Sequence, residues 1–377
     1  FEENKYLYPS LFVQEGFKRT YPLERNSAHV LGYVGKVNRR KLKMLKEYGY
    51  SAKSIIGYTG VEEYYDNYLS GDQGGFQIEV NSRGKQVRIL GLRQPKSGQD
   101  VSITIDHRIQ EILHTELNGK VGAIVMMDTE TGEILGMTSS PTFDPNTREA
   151  KSRLAPFLNR NIQGQFPPGS VFKIPVAIAA LDTKKATPKT TFLCDGAMEL
   201  GGIEFGCTHV HNHQNMIEAI AHSCNIYFYQ TGLMLGADVL YQYAKLLGLG
   251  QVTHIDLPYE EAGNIPSKKA RHRQRKRWFT GDTLNYSIGQ GDVLATPLQL
   301  TIMMSTIANE GTVVHPHVIR AIGGRAITRF DSKQKLELPF RIYQDIKKGL
   351  RATVTDYTGT AHVLNIPEIF VAGKTRT

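Results

Sequence analysis

A hydroxyl and an ammonium stand three residues apart in "FPPGSVFKIPVAIAALD" (166–182), as Ser170 and Lys173. The Pro-Pro-Gly corner leads into an apolar helical pattern carried by Val171, Phe172, Ile174, Val176, Ala177 and Ile178. Positions i and i+3 of a helix share a face, about 5–6 Å apart between Cβ atoms, so the two side chains can touch. Serine alone is a weak nucleophile and needs a base. A lysine serves as one only when burial or a neighbouring cation lowers its pKa, and an apolar helix supplies the burial. The first turn also offers free N–H groups and the positive end of the helix dipole to developing negative charge. A bare S-x-x-K is more often a capping serine beside a solvated lysine. On this helix that reading leaves Lys173 buried without purpose, so the pattern has the parts of a Ser–Lys acyl-transfer pair.

Two further pairs could complete such a site. "AHSCNIYFYQTG" places Ser223 and Asn225 just before an aromatic helical run. A hydroxyl and an amide two apart in a turn can face one cleft, relaying a proton and holding a peptide amide. Near the C-terminus, "FVAGKTRT" sets Lys374 and Thr375 on a strand that begins with small and apolar residues. Such a strand offers backbone groups to an extended peptide, while its Lys and Thr hold a carboxylate.

A separate cluster has ligand chemistry. "FLCDGAMELGGIEFGCTHVHNHQNM" gathers Cys194, Asp195, Cys207, His209, His211 and His213, and Cys224 follows inside the serine–asparagine motif. Cysteine and histidine suit tetrahedral zinc, although the spacing is not that of a standard finger. A solvated histidine loop over small buried cysteines, or a Cys194–Cys207 disulfide, fits the same residues.

The elements that must position these groups read as follows. The 377 residues suggest two domains, and 40% hydrophobic content supplies a large core. Residues 1 to 95 read as short strands, turns and charged helices, with "GFQIEVNSRGKQVRIL" alternating like a hairpin. "LRQPKSGQD" (92–100) is a punctuated hinge, which gives domains of 1–95 and 96–377. Beyond it come a strand and amphipathic helix in "VSITIDHRIQEILHTEL", then two strands around the Asp128–Gly132 turn. Helices dominate 166–250, a basic loop follows, helix resumes from 296, and "EIFVAGKT" reads as an apolar strand. Strands at both ends with helices between predict an α+β domain with an antiparallel sheet.

The net charge of +9 is compatible with an anionic partner, but no nucleic-acid motif accompanies it, so an envelope location or a basic proteome is the simpler reading. The run "KKARHRQRKRW" (268–278) reads as a solvated loop, with anionic lipid or glycan contact the sharper alternative. No stretch approaches the ~20 apolar residues of a membrane span. The opening "FEENKYLYPS" is neither a signal peptide nor an initiator sequence, which predicts a trimmed portion with any anchor outside it.

S-x-x-K, then S-x-N, then K-T, in that order, resembles the triple signature of penicillin-binding proteins and serine β-lactamases. "RTYPLERNSAHVLGYVG" (19–35) and "GYTGVEEYYDNYLSG" (57–71) resemble segments of class B penicillin-binding proteins. "NRNIQGQFPPGSVFK", "WFTGDTLNYSIGQGDVLATPLQL" and "GTA" (359–361) are similar to their transpeptidase domain. The rod-elongation members are the most similar, over nearly the whole chain.

This resemblance implies a non-catalytic pedestal joined to a serine β-lactamase/transpeptidase-like domain, acting as a peptidoglycan D,D-transpeptidase in cell elongation. Ser170 would attack the penultimate D-Ala of a stem pentapeptide and Lys173 would take its proton. Ser223, with Lys374, would protonate the leaving D-Ala. Asn225 would hold the acyl-side amide and Thr375 the terminal carboxylate, with the N–H groups of Ser170 and Thr377 as oxyanion hole. β-Lactams would acylate Ser170, and catalysis would need no cofactor. The resemblance also implies a structural zinc held by Asp195, Cys207, His213 and Cys224. The scaffold MreC would bind residues 1–95, the glycosyltransferase RodA would be a second partner, and an N-terminal anchor in the inner membrane would leave the domains in the periplasm.

Two departures matter. The family reads K-T-G, whereas Arg376 stands at the glycine position, where a side chain intrudes on substrate backbone. The chain also stops at Thr377, where the family continues with a strand and a closing helix, so an incomplete or misread C-terminal region is expected. A β-lactamase or β-lactam sensor, or a catalytically impaired scaffold protein, are the competing readings.

Overall fold

The computed structural model describes residues 18–45, 50, 52, 54–72, 74–82 and 86–376. Thr377, expected to donate to an oxyanion, and the hairpin turn at 83–85 lie outside the described residues.

The centre of the molecule is the helix Lys173–Asp182, in which every residue from Lys173 to Ala180 is buried. A helix apolar on all sides must sit inside others. The helices Met216–Ala221, Asn225–Leu235, Ala237–Leu246, Thr280–Ser287 and Phe340–Thr355 contribute buried residues to the same core. Fully burying each such aliphatic side chain is favourable by about 1.5–3 kcal/mol.

A second core crosses between the two halves of the sequence. Val30, Val61 and Tyr65 pack with Ile134, Met137, Leu298, Val318 and Ile319. Beside them Asp256, 0% exposed, accepts from Val318 N (2.7 Å), Ile319 N (3.0 Å) and the Tyr65 hydroxyl (2.7 Å). The Arg329 guanidinium donates to that hydroxyl in turn (2.8 Å). One buried carboxylate thus fastens the N-terminal segment to the strand Ile319–Ile322. Each buried donor it satisfies would otherwise cost about 1–3 kcal/mol.

The strands are antiparallel. Gly122–Met127 pairs with Ile134–Ser140, and Val101–Ile103 pairs with Ile319–Ile322. The turn between the first pair follows from its residues. Asp128 Oδ1 accepts from Glu130 N (2.8 Å) and Thr131 N (2.9 Å), and Gly132 has φ +83°, where a Cβ would lie 2.3 Å from His315 O. The expected hairpin forms as Gly75–Val80 and Gln86–Arg93, with the side chains of 76–80, 87–90 and 92–93 exposed.

Three expectations differ from the structure. The stretch 192–214, placed among helices, forms the strands Phe192–Cys194, Ala197–Leu200, Ile203–Gly206 and Asn212–Gln214. Part of the basic run is helical, Lys268–Arg273, because the Ser267 hydroxyl accepts from Ala270 N (3.1 Å) and caps it. "EIFVAGKT" is not a strand among the described residues. A strand requires a neighbour's ladder of donors and acceptors, and this segment is held instead by single bonds: Gly373 N to Leu350 O (3.1 Å) and Arg351 Nη1 to Val371 O (2.5 Å).

Candidate active site

Ser170 lies in the 3-10 turn Gly169–Phe172, and Lys173 is the first residue of the α-helix that follows. In a 3-10 turn, residues i and i+3 eclipse one another, so Ser170 and Lys173 share a ridge more closely than on an α-helix. Both are buried, at 4% and 0% exposed. The turn is backed by Gly289, whose O accepts from Gly169 N (3.0 Å). Gly289 has φ +68°, and a Cβ there would come 2.4 Å from Gly169 O, so only glycine lets the backing segment lie this close.

Ser223 and Asn225 come from the turn between the helices Met216–Ala221 and Asn225–Leu235. Cys224 caps the second helix, its Sγ accepting from Tyr227 N (3.5 Å), and Ser223 has φ +58°. Lys173 Nζ donates to Ser223 O (2.6 Å), Ser223 Oγ (3.1 Å) and Asn225 Oδ1 (2.7 Å). From the other side, Lys374 Nζ donates to Ser223 Oγ (2.9 Å). One hydroxyl therefore bridges two lysines. Thr375 Oγ1 donates to Thr360 Oγ1 (2.7 Å), and Thr360 N donates to Ala221 O (3.2 Å). Lys173, Ser223, Asn225 and Lys374 are thus joined by hydrogen bonds at one turn, Ser170 stands three residues before Lys173, Thr375 follows Lys374, and Arg376 beside them is exposed.

The electrostatics suit a base. Burial, and then the Lys374 cation, lowers the Lys173 pKa to about 7, so much of it is neutral near pH 7. Burial alone lowers Lys374 to about 8. Two ammonium groups on one hydroxyl oxygen repel, which favours a pair carrying one proton fewer.

The cysteines and histidines meet beside this turn, but not in the expected set. The ligand atoms of Cys194, Cys207, His211 and Cys224 all lie within 4.8 Å of one another. Asp195 and His213 are exposed and point away. The reason is strand alternation. Phe192–Cys194 pairs with Asn212–Gln214, so Cys194 faces in, its successor Asp195 faces out, and His213 lies outward opposite Leu193. Asn212 at φ +55° breaks the alternation just before His213 and leaves His211 inward. His211 Nδ1 lies 3.4 Å from Cys194 Sγ and 3.5 Å from Cys207 Sγ. All three cysteines are free thiols.

This set fits zinc. Three thiols and an imidazole are its preferred donors, and Zn–S bonds of about 2.3 Å imply ligand separations near 3.8 Å, close to those present. The cluster touches the Ser223–Asn225 turn directly, since Asn225 N donates to Cys207 Sγ (3.1 Å) and Asn225 Nδ2 to Gly206 O (3.1 Å). Spacing alone had not singled out Thr360, Gly206 or Gly289. Thr360 and Gly289 each carried one signal, their places in the "GTA" and "WFTGDTLNYSIGQGDVLATPLQL" segments.

The fold and the arrangement of the site place the chain in the penicillin-binding class. Residues 122–377 match the penicillin binding protein transpeptidase domain and residues 1–103 the penicillin-binding protein dimerisation domain, and the chain belongs to this family. It is 34% identical to the peptidoglycan D,D-transpeptidase MrdA of Acinetobacter baumannii, over 100% of this chain and 59% of that protein. With MrdA of Haemophilus influenzae the identity is 33%, over 100% of this chain and 62% of the relative. The chain thus spans roughly three fifths of the length of these curated relatives. Among solved structures, penicillin-binding protein PBP2 of Helicobacter pylori in complex with MreC superposes with a TM-score of 0.84 at 31% identity, over 95% of this chain and 69% of that one.

Proposed function

We propose that this chain is the catalytic part of a peptidoglycan D,D-transpeptidase that cross-links stem peptides during cell-wall elongation and rod-shape maintenance. The observation that carries the reading is the Ser223 hydroxyl held between Lys173 and Lys374, with Lys173 one 3-10 turn after Ser170. Neutral Lys173 takes the Ser170 proton as Oγ attacks the carbonyl of the penultimate D-Ala. The new Oγ–C bond gives an acyl-enzyme as the C–N bond to the terminal D-Ala breaks. The proton passes from Lys173 Nζ through Ser223 Oγ, steadied by the Lys374 cation, to the leaving amine. Asn225 holds the acyl-side amide, and Thr375 holds the terminal carboxylate. The N–H groups of Ser170 and Thr377 receive the oxyanion. An amine from a second stem peptide then displaces Ser170 and completes the cross-link. Positioned proton transfer of this kind contributes about 10²–10⁴-fold.

β-Lactams enter the same path as imitations of D-Ala-D-Ala. Zinc on Cys194, Cys207, His211 and Cys224 serves structure, pinning the strand end that holds Asn225. We place the domain division at 95/96, with 1–95 as the pedestal that meets MreC and with RodA as the partner in the membrane. Among the described residues no helix is long and apolar enough to cross a membrane. In this reading an N-terminal inner-membrane anchor holds both domains in the periplasm. Arg376, at the family's glycine position, points to slowed acylation in this chain.

Labelling with a fluorescent penicillin tests the proposal. The expected result is a covalent adduct on Ser170, stable for many minutes, absent in Ser170→Ala and formed faster in Arg376→Gly. A chain that stays unlabelled in both the native and Arg376→Gly forms, or an adduct that survives Ser170→Ala, would sink it. Rapid release of the adduct would instead mark a β-lactamase.

A further inference from the structure

The basic segment 268–277 is anchored by ion pairs at Lys268 and Arg271, and its other Lys and Arg side chains have no carboxylate partner among the described residues. Arg271 Nη1 and Nη2 are spent on Asp282 (2.6 Å) and Asp292 (2.7 Å), and its guanidinium lies 4.8 Å over the Trp278 ring. Trp278 Nε1 in turn donates to Thr283 Oγ1 (2.8 Å). Lys268 pairs with Asp238 (3.3 Å). The rest of the run is different: Lys269, Arg273, Arg275, Lys276 and Arg277 are all exposed, and none has a carboxylate partner among the described residues. Five like charges on a fixed platform repel one another and attract a polyanion.

The platform also has a definite place. The helix Thr280–Ser287 starts directly after it. Near that start, a Cβ on Gly281 would lie 3.1 Å from the Phe205 ring, and the neighbouring Gly206 O accepts from Asn225 Nδ2. Just past the other end, Gly289 backs the nucleophile turn at Gly169. One short helix therefore has the cationic surface at its start and the serine's support at its end.

We infer that residues 268–277 are a docking surface for the carboxylates of an uncross-linked peptidoglycan strand, holding the strand that supplies the acceptor amine beside the cleft. This rests on the transpeptidase reading, in which two stem peptides must meet at Ser170 and only one occupies the cleft as donor. Stem peptides bear free carboxylates along a repeating polymer, which matches several separated cations better than one deep pocket. A bilayer fits less well. The helix Lys268–Arg273 has only Ala270 as an apolar residue, and within 268–279 the one exposed large apolar side chain is Phe279, so the segment itself has no apolar face to enter lipid.

The test measures binding of the whole chain to soluble uncross-linked glycan strands carrying stem peptides. Parallel arms use strands whose carboxylates have been amidated, and phosphatidylglycerol vesicles. Charge reversal by Arg273→Glu, Arg275→Glu, Lys276→Glu and Arg277→Glu together is expected to weaken strand binding at least about tenfold. The native protein should bind amidated strands as poorly as the variant binds native ones, prefer strands to vesicles, and lose affinity in high salt. Replacement of the same four residues by Gln, checked by an unchanged melting temperature, separates lost charge from lost folding. Strand binding unaltered in both variants, indifference to amidation, or equal binding to vesicles would overturn the inference. Penicillin labelling of the native chain is read separately, so failure of the transpeptidase reading is distinguishable from failure of the docking surface.

Discussion

The helix Lys173–Asp182 and the strands between Phe192 and Gln214 both deliver side chains to the Ser223–Asn225 turn, by different geometry. Where the 3-10 turn Gly169–Phe172 runs into the helix, a regular rotation per residue puts Ser170 and Lys173 on one ridge. In the strands, facing alternates residue by residue, and one left-handed residue, Asn212, reverses it. Spacing in the sequence therefore locates helical partners and mislocates partners carried on short strands. The two regions also differ in what they lend the turn: the helix gives the Lys173 amine, which the proposed mechanism uses as proton acceptor, and the strands give a mount through Cys207 Sγ and Gly206 O.

The contrast breaks most visibly at Lys173. Lys173→Ala should slow penicillin acylation by about 10²–10⁴-fold, as removal of a general base does. Stopped-flow acylation reads this, and a native rate would mean that the base lies elsewhere. The strands predict a different symptom. His211→Ala and Cys224→Ser should each lower stability by more than about 2 kcal/mol, whereas Asp195→Ala and His213→Ala should stay within about 0.5 kcal/mol. Thermal melting with zinc analysis of the purified protein decides between the two sets, and the reverse ranking would restore the ligand set expected from the resemblance.

The smallest effect is in pH dependence. Lys173 is a base only when neutral, so acylation should rise with pH through about 7. Lys374 steadies the Ser223 oxygen only while charged, so the rate should fall again above about 8. In Lys374→Met the repelling cation is gone, the Lys173 pKa rises, and the acid limb moves to higher pH while the alkaline limb disappears. A profile with unmoved limbs in that variant would show that the two lysines do not share the hydroxyl.

What the sequence made legible follows from the same physics. The Ser–Lys, Ser–Asn and Lys–Thr pairs, the hairpin at 75–93 and the Asp128–Gly132 turn rest on local periodicity and turn chemistry, which short windows encode. The zinc-type cluster and the absence of a ladder at 368–375 depend on which strand lies beside which, and no local pattern carries that. The 3-10 turn at Ser170 is intermediate. Pro168 and Gly169 announced a corner there, but the tight winding that brings Ser170 over Lys173 shows only once Gly289 is seen against Gly169.

Asp256 has a mechanical consequence. Because Tyr65 and the strand Ile319–Ile322 hang on the same carboxylate, tension applied to the N-terminal segment is delivered to the sheet edge at Val101–Ile103 rather than dissipated in a loop. Along this path the load crosses one phenol–carboxylate bond, Tyr65 to Asp256, before it is divided between the amides of Val318 and Ile319.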